Sequence, residues 1–321
     1  MAEAVRAFGS ALYDFESGSE AVIMAALEGA VCRMPEPFGT VDAAGVWGRY
    51  AELGAAWPDM ERRCYIDISG VDGQGLSWVG QAGYYTGTFA QDWLGIPATR
   101  RTVHMRFHEF FRMEGDRIVE TQFGWDIPEV MMQAGAWPMV PSLGREWNVP
   151  APATCDGLGP HEGDPEAAKK LILDMLGAMS RHPAEGGPEV MEMDRYWHSK
   201  MHWYGPAGIG TARGIEGFRR HHQIPFLAAM PNRGKYREEM VYHFFAEGDY
   251  VGVTGWPNMR QTLSDAGWLG LPGVGKEVTM KSLDFWRIEN GMIRENWVMV
   301  DLIDLYQQLG VDVFARMEEL K

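Results

Sequence analysis

The chain has 321 residues, with 44 Asp and Glu against 29 Lys and Arg, giving a formal net charge of −15. Nucleic acid and anionic membrane surfaces repel such a chain, so neither is expected as a partner. Apolar residues make up 46%, with 13 Trp and 21 Met, which is enough for substantial cores and for apolar pockets that take a small hydrophobic molecule.

The first residues lack a basic start followed by an apolar run, and no apolar stretch approaches membrane-spanning length. Cys32, Cys64 and Cys155 lack CxxC spacing and an even count, so unpaired thiols in a reducing compartment are expected, with the cytoplasm as the default address.

In chain order, apolar residues recur at three- and four-residue steps over Ala4 to Phe15 and again over Ala43 to Ala56, which predicts two helices. Trp57-Pro58-Asp59 breaks the second. Strands follow at Arg62 to Ser69, Leu76 to Tyr85, Thr102 to Met113 and Arg117 to Trp125, with turns at Asp72-Gly73 and Gly115-Asp116. Asp126 then opens a short helix that stops at Gly135.

Trp137 to Pro165 holds six prolines and four glycines and reads as a linker. The pattern then begins again. Asp164-Pro165-Glu166 has the form of a capped helix start, leading into Pro165 to Ser180, and a second helix is predicted over Ile215 to Ala228, ending at Met230-Pro231-Asn232. Strands are predicted at Arg237 to Ala246, Tyr250 to Gly255, Glu277 to Ile288 and Met292 to Val300, and a last helix runs from Asp301 to Gly310.

The repetition is explicit in the residues. Shifted by 175 positions, Asp92 to Gly135 lies on Gly267 to Gly310 without a gap, and 14 of 44 pairs are identical, against about three expected from residue frequencies. A period this long matches a whole small domain rather than a solenoid unit. The expected organisation is a first domain over 1–145, a linker over 146–163 and a second domain over 164–321. Helices followed by an antiparallel meander make each domain α+β.

The stretches ending in QFGWDIPEVMMQAG and NWVMVDLIDLYQQLG, with the Gly-x-Pro loops before them, resemble the C-terminal signature of the SnoaL-like polyketide cyclase family. Ala56-Trp57-Pro58-Asp59 and His202-Trp203-Tyr204-Gly205-Pro206 are similar to earlier parts of that pattern. The resemblance implies two tandem cone-shaped domains of the nuclear-transport-factor-2-like superfamily, each a curved sheet wrapped around N-terminal helices and an apolar pocket. It also implies an aspartate acting as acid/base in an intramolecular aldol closure, without metal or cofactor. Asp301 and Asp126 occupy the matching positions, although an aspartate at a helix start also serves as an N-cap, and the two roles are compatible.

A two-residue turn at Asn290-Gly291 pairs positions whose numbers sum to 581, which places Asp284, Trp286, Glu295, Trp297, Met299 and Asp301 on one sheet face. A carboxylate among indoles loses hydration and gains basicity suited to proton transfer at carbon. Asp284 and its counterpart Glu109 are therefore further candidate acids. Trp286, Trp297, Met299, His202, Trp203, Arg260 and Tyr85 are expected to line the pockets, the last two standing where many family members have a histidine. The same pairing puts Leu283, Phe285, Val298 and Val300 on the other face, which predicts sheet-to-sheet packing between the copies or in a homodimer.

His198 and His202 lie four apart but lack a third ligand, so no metal is expected. Isomerase, dehydratase or epoxide hydrolase chemistry on the same scaffold remains open, as does non-catalytic binding of an apolar ligand. An epoxide hydrolase calls for Arg260 bridging Asp284 and Asp301.

Overall fold

The structure is a computed structural model that describes residues 3–16 and 18–320. Positions 1, 2, 17 and 321, which fall within the expected N-terminal and C-terminal segments, lie outside the described residues.

The first unit runs α1 (Glu3–Tyr13), α2 (Ser19–Ala26), β1 (Val31–Arg33), β2 (Thr40–Val41), α3 (Ala43–Ala56), β3 (Glu61–Val71), β4 (Ser77–Thr88), β5 (Thr102–Glu114), β6 (Arg117–Trp125) and α4 (Ile127–Gln133). The second runs α5 (Pro165–Met179), α6 (Met193–Tyr196), β7 (Trp197–Tyr204), β8 (Thr211–Arg213), α7 (Gly214–Phe218), α8 (Ile224–Ala229), β9 (His243–Glu247), β10 (Tyr250–Thr254), β11 (Met259–Leu263), β12 (Lys276–Met280), β13 (Ser282–Glu289), β14 (Met292–Val300), α9 (Leu302–Gln308) and α10 (Val313–Glu319). One sheet has the order β2-β1-β6-β5-β4-β3 and the other β8-β7-β14-β13-β10-β9, each with one parallel pair. The order repeats, so the units share one α+β architecture.

Local chemistry explains the helix limits. The Asp42 carboxylate accepts from the Gly45 amide at the start of α3, and the Asp164 carboxylate from the Glu166 and Ala167 amides at the start of α5. Gly135 and Gly310 follow α4 and α9 with φ of 67° and 83°, the left-handed conformation that ends a helix at little cost only for glycine. Three differences from the sequence reading stand out. His198 and His202 lie on strand β7, not on one helical face. The helix expected over 215–228 is divided by a wide turn at Arg219–Gln223. The expected strand from 277 to 288 is interrupted at Lys281, where β12 gives way to β13.

The two sheets pack face to face. Phe110 and Phe285, equivalent under the 175-residue shift, stack with centroids 5.0 Å apart and planes at 15°, as an isologous contact between duplicated surfaces requires. Ile66, Ile68, Trp78, Phe245, Leu283, Trp297 and Met299 complete this apolar layer. Polar ties surround it. Equivalent loops are tied in reciprocal fashion: the Glu36 amide donates to Asp301 at 3.1 Å and the Ala207 amide to Asp126 at 2.9 Å. The buried Arg106 guanidinium donates to the Tyr204 and Val298 carbonyls. Among the described residues, no helix is long and apolar enough to cross a membrane.

Close approach of the sheets depends on Gly80, where an added Cβ would lie 2.9 Å from ring carbons of Phe245 and Phe285 and 3.0 Å from Phe110. Gly80→Val is expected to destabilise the protein by about 1–3 kcal/mol, as overpacking of a closed core does. By contrast, Gly177→Ala on α5, with nothing within 4 Å, should leave the melting temperature unchanged or raise it. Thermal denaturation of both variants checks the pair.

Candidate active site in the second cone

The side chains that face the second cone are set by one irregularity in the last hairpin. Ile288 pairs with Ile293 but Arg287 pairs with Glu295, so Arg294 is an extra residue and the register beyond it is shifted by one. A one-residue slip reverses which side chains share a face. Asp284 therefore stands opposite Val298 and Trp286 opposite Asn296. Trp297, Met299 and Glu295, expected in the pocket, instead lie on the face packed against the first sheet, while Val298 and Val300 point into the cone. Trp297 is fully buried there and donates to the Pro150 carbonyl. The first unit has the same bulge at Arg112, and Gln122, the counterpart of Trp297, accepts a hydrogen bond from Thr254 across the interface.

Two joined cavity lobes of about 100 Å³ each lie inside the second cone. Leu176, Arg233, Met259, Ser282, Asp284 and Trp286 line both. One lobe is apolar, walled by Met175, Met179, Trp197, Trp203, Phe218, His222, Phe226 and Trp268. The other, here the polar lobe, adds Tyr236, Arg237, Tyr242, Asn258 and Arg260 to a wall that also holds Met240, Phe244 and Val253.

Asp284 stands where the lobes meet. Burial lifts its carboxyl from the ordinary aspartate range to about 7, against the opposing effects of the Ser282 hydroxyl, which donates to it at 2.9 Å, and the Arg233 charge. A carboxyl poised there exchanges a proton readily near neutral pH. His222 stacks on Trp203 at 4.0 Å and 16°, and burial pushes its imidazole down to about 3, so the ring is neutral. The indole nitrogens of Trp197, Trp268 and Trp286 and the Gln223 carbonyl oxygen, all from residues lining the apolar lobe, are buried without a hydrogen-bond partner among the described residues.

Other candidates lie elsewhere. The Asp301 carboxylate caps α9 through the Asp304 amide, pairs with Lys281 at 3.2 Å and accepts from Glu36, and the residue does not line either lobe. Asp126 is held between the Ala207 amide and Arg106, without capping α4, and burial together with neighbouring Glu129 raises its carboxyl to about 7. Both aspartates thus bind the units to each other. His202 turns out of the cone, stacked on Tyr204 and bonded to Arg213, whereas Trp203, the next residue on the strand, turns in. Arg260 reaches the polar lobe, but its guanidinium pairs with Glu277 at 2.7 Å and Glu239 at 2.9 Å and bridges no aspartates.

In the first cone, Glu109 occupies the position of Asp284 and is sealed. It is 0% exposed, pairs with Arg62 at 2.7 Å, and accepts from the Tyr85 and Tyr50 hydroxyls and the Trp125 indole. Tyr85 is thereby a partner of the buried acid.

Such a fold and site define a cone-shaped α+β domain with an acid at the junction of an apolar and a polar chamber. The profile of the SnoaL-like polyketide cyclase family matches residues 187–309, within the second unit, and the first unit repeats that unit's strand order. Among solved structures, the chain is similar to IdmH of Streptomyces antibioticus, a candidate polyketide cyclase, at 22% identity over 41% of this chain and 99% of that one, TM-score 0.36. It is also similar to a candidate polyketide cyclase of Acidithiobacillus ferrooxidans at 21% identity over 41% of this chain and 92% of that one, TM-score 0.35. A SnoaL-like protein of Jannaschia follows at 18% identity over 40% of this chain and 88% of that one, TM-score 0.35. No curated protein matches the chain in sequence.

The contrast between the two acids is measurable. Glu109→Ala strands the buried Arg62 charge and is expected to cost about 3–5 kcal/mol in chemical denaturation. Asp284→Asn, which removes a desolvated carboxyl that has no ion-pair partner within 4 Å among the described residues, should cost far less or stabilise the chain at neutral pH.

Proposed function

We propose that the chain is a cyclase-type acid–base catalyst acting on a hydrophobic carbonyl compound in the second cone, with Asp284 as the proton-transferring group. The division into units over 1–145 and 164–321, joined by 146–163, belongs to the same reading. The observation that carries it is a carboxyl raised to about 7 by burial at the meeting point of two cavity lobes, beside Trp286.

Ionised Asp284 removes a proton from a carbon flanked by carbonyls. The released electron pair forms a carbon–carbon bond to a second carbonyl carbon of the same molecule, and the proton then passes to the new alkoxide oxygen. Atoms and charge balance without an external reductant, oxidant or cofactor. Trp203, Trp286 and the methionines exclude water, which strengthens the electrostatics of the step. Carbonyl oxygens on the ligand offer acceptors to the unpartnered indole groups.

The first unit serves as a structural partner in this reading, since its equivalent acid is committed to Arg62 and two tyrosines. Asp301 and Asp126 act as clasps, and the proton-transfer role expected of them passes to Asp284. An epoxide hydrolase finds no support, because Arg260 is engaged by two glutamates.

A hydrophobic ketone such as 2-tetralone reports the first step through deuterium uptake at its α-carbon, followed by NMR. Wild-type protein should catalyse uptake with a rate that rises with pH through about 7 and then levels, as the base becomes ionised. Asp284→Asn should abolish it and Asp301→Asn should retain it. Equal rates in wild type and Asp284→Asn would remove the assignment.

A further inference from the structure

The polar lobe carries more positive charge than its surroundings neutralise. Arg233, Arg237 and Arg260 line it, and Asp284 is the one carboxylate among its lining residues. This is unusual for a chain in which acids outnumber Lys and Arg by 44 to 29. Arg260 is satisfied by Glu239 and Glu277. Among the described residues, neither Arg233 nor Arg237 lies within 4 Å of a carboxylate. Arg233 instead sits over the Phe226 ring, 5.8 Å from its centroid, on the wall common to both lobes.

A half-buried guanidinium without a counter-ion is costly, and burial lowers the pKa of Arg233, an effect that its neighbour Arg237 adds to. The charge of Asp284 on the same wall offsets part of that cost, without an ion pair within 4 Å. Tyr242, a further titratable neighbour, has its hydroxyl pushed upward by burial and so stays neutral. An anion entering the lobe relieves the cost directly, and a guanidinium fork matches a carboxylate in two parallel hydrogen bonds.

We propose that the ligand of the second cone is an amphipathic carboxylic acid, its carboxylate held by Arg233 and Arg237 in the polar lobe and its apolar ring or chain in the adjoining methionine- and tryptophan-lined lobe. The placement rests on the acid–base reading in one respect: it sets the carbon between the two ends of the ligand beside Asp284. Each lobe, at about 100 Å³, is smaller than the roughly 300–1,000 Å³ of pockets for drug-sized ligands, so a one-ring or two-ring acid fits best. Arg233 and Arg237 are specificity residues in this account.

Phenylacetate and its neutral isostere phenylacetamide are the probes, with dissociation constants measured by calorimetry on the full chain. Wild-type protein should bind the acid about tenfold or more tightly than the amide, the worth of a charge-assisted pair. Arg233→Met should bring the ratio close to one, with saturable amide binding retained and the melting temperature close to wild type, which separates loss of the anion site from loss of fold. Asp284→Asn should keep or increase the preference, since a like charge is removed, even if ketone exchange is lost; the two readings therefore fail independently. Equal affinity for acid and amide in wild type, no saturable binding of phenylacetate, or a preference that survives in the Arg233→Met/Arg237→Met double variant would overturn the proposal.

Discussion

Everything in this molecule turns on the extra residue in the last hairpin of each unit. Without Arg294 in β14, the alternation of side chains would carry Trp297 and Met299 into the cone and send Val298 outward. With it, Leu283, Phe285, Trp297 and Met299 form a continuous apolar surface on the outer side of the sheet, and Asp284 and Trp286 face the cavity. The bulge at Arg112 does the same for Phe110 and Glu109. A single backbone irregularity thus supplies both the face that joins the units and the face that lines the site.

Joining the units back to back places each acidic strand end against the other unit. Asp301 receives the Glu36 amide and Asp126 the Ala207 amide, so two carboxylates at matching positions are spent on assembly. Having the same fold, the cones differ in how they treat the acid in the middle of the sheet. Glu109 is locked by Arg62, Tyr50, Tyr85 and Trp125. Asp284 keeps one side-chain donor, Ser282, and open space beside it. The two halves thus differ in the surroundings of one equivalent acid, ion-paired in the first and beside a cavity in the second.

Long periodic elements and the repeat itself were readable from the sequence, because helix α3 and the strands from β3 to β6 carry strong local patterns and the 175-residue shift needs no structure to see. Pocket residues were readable only in part. Asp284 and Trp286 follow from alternation and Trp203 from the family resemblance, whereas Trp297 and Met299 were misplaced because a bulge leaves no mark in composition. His202, expected in a pocket from the family resemblance, instead faces outward because it alternates with Trp203 along β7. Arg233 lies in a loop with no periodicity, and His222 sits beside another histidine in a helix broken by a wide turn, so neither could be assigned to the cavity before the chain was folded.

The central claim is that Asp284 is a desolvated carboxyl inside the second cone rather than an exposed one. Carbon-13 NMR titration of the aspartate carboxyls, with Asp284 identified by its disappearance in Asp284→Asn, measures this most directly. The account predicts a midpoint near 7 for that resonance. A midpoint in the ordinary range near 4 would place the group in water and contradict it.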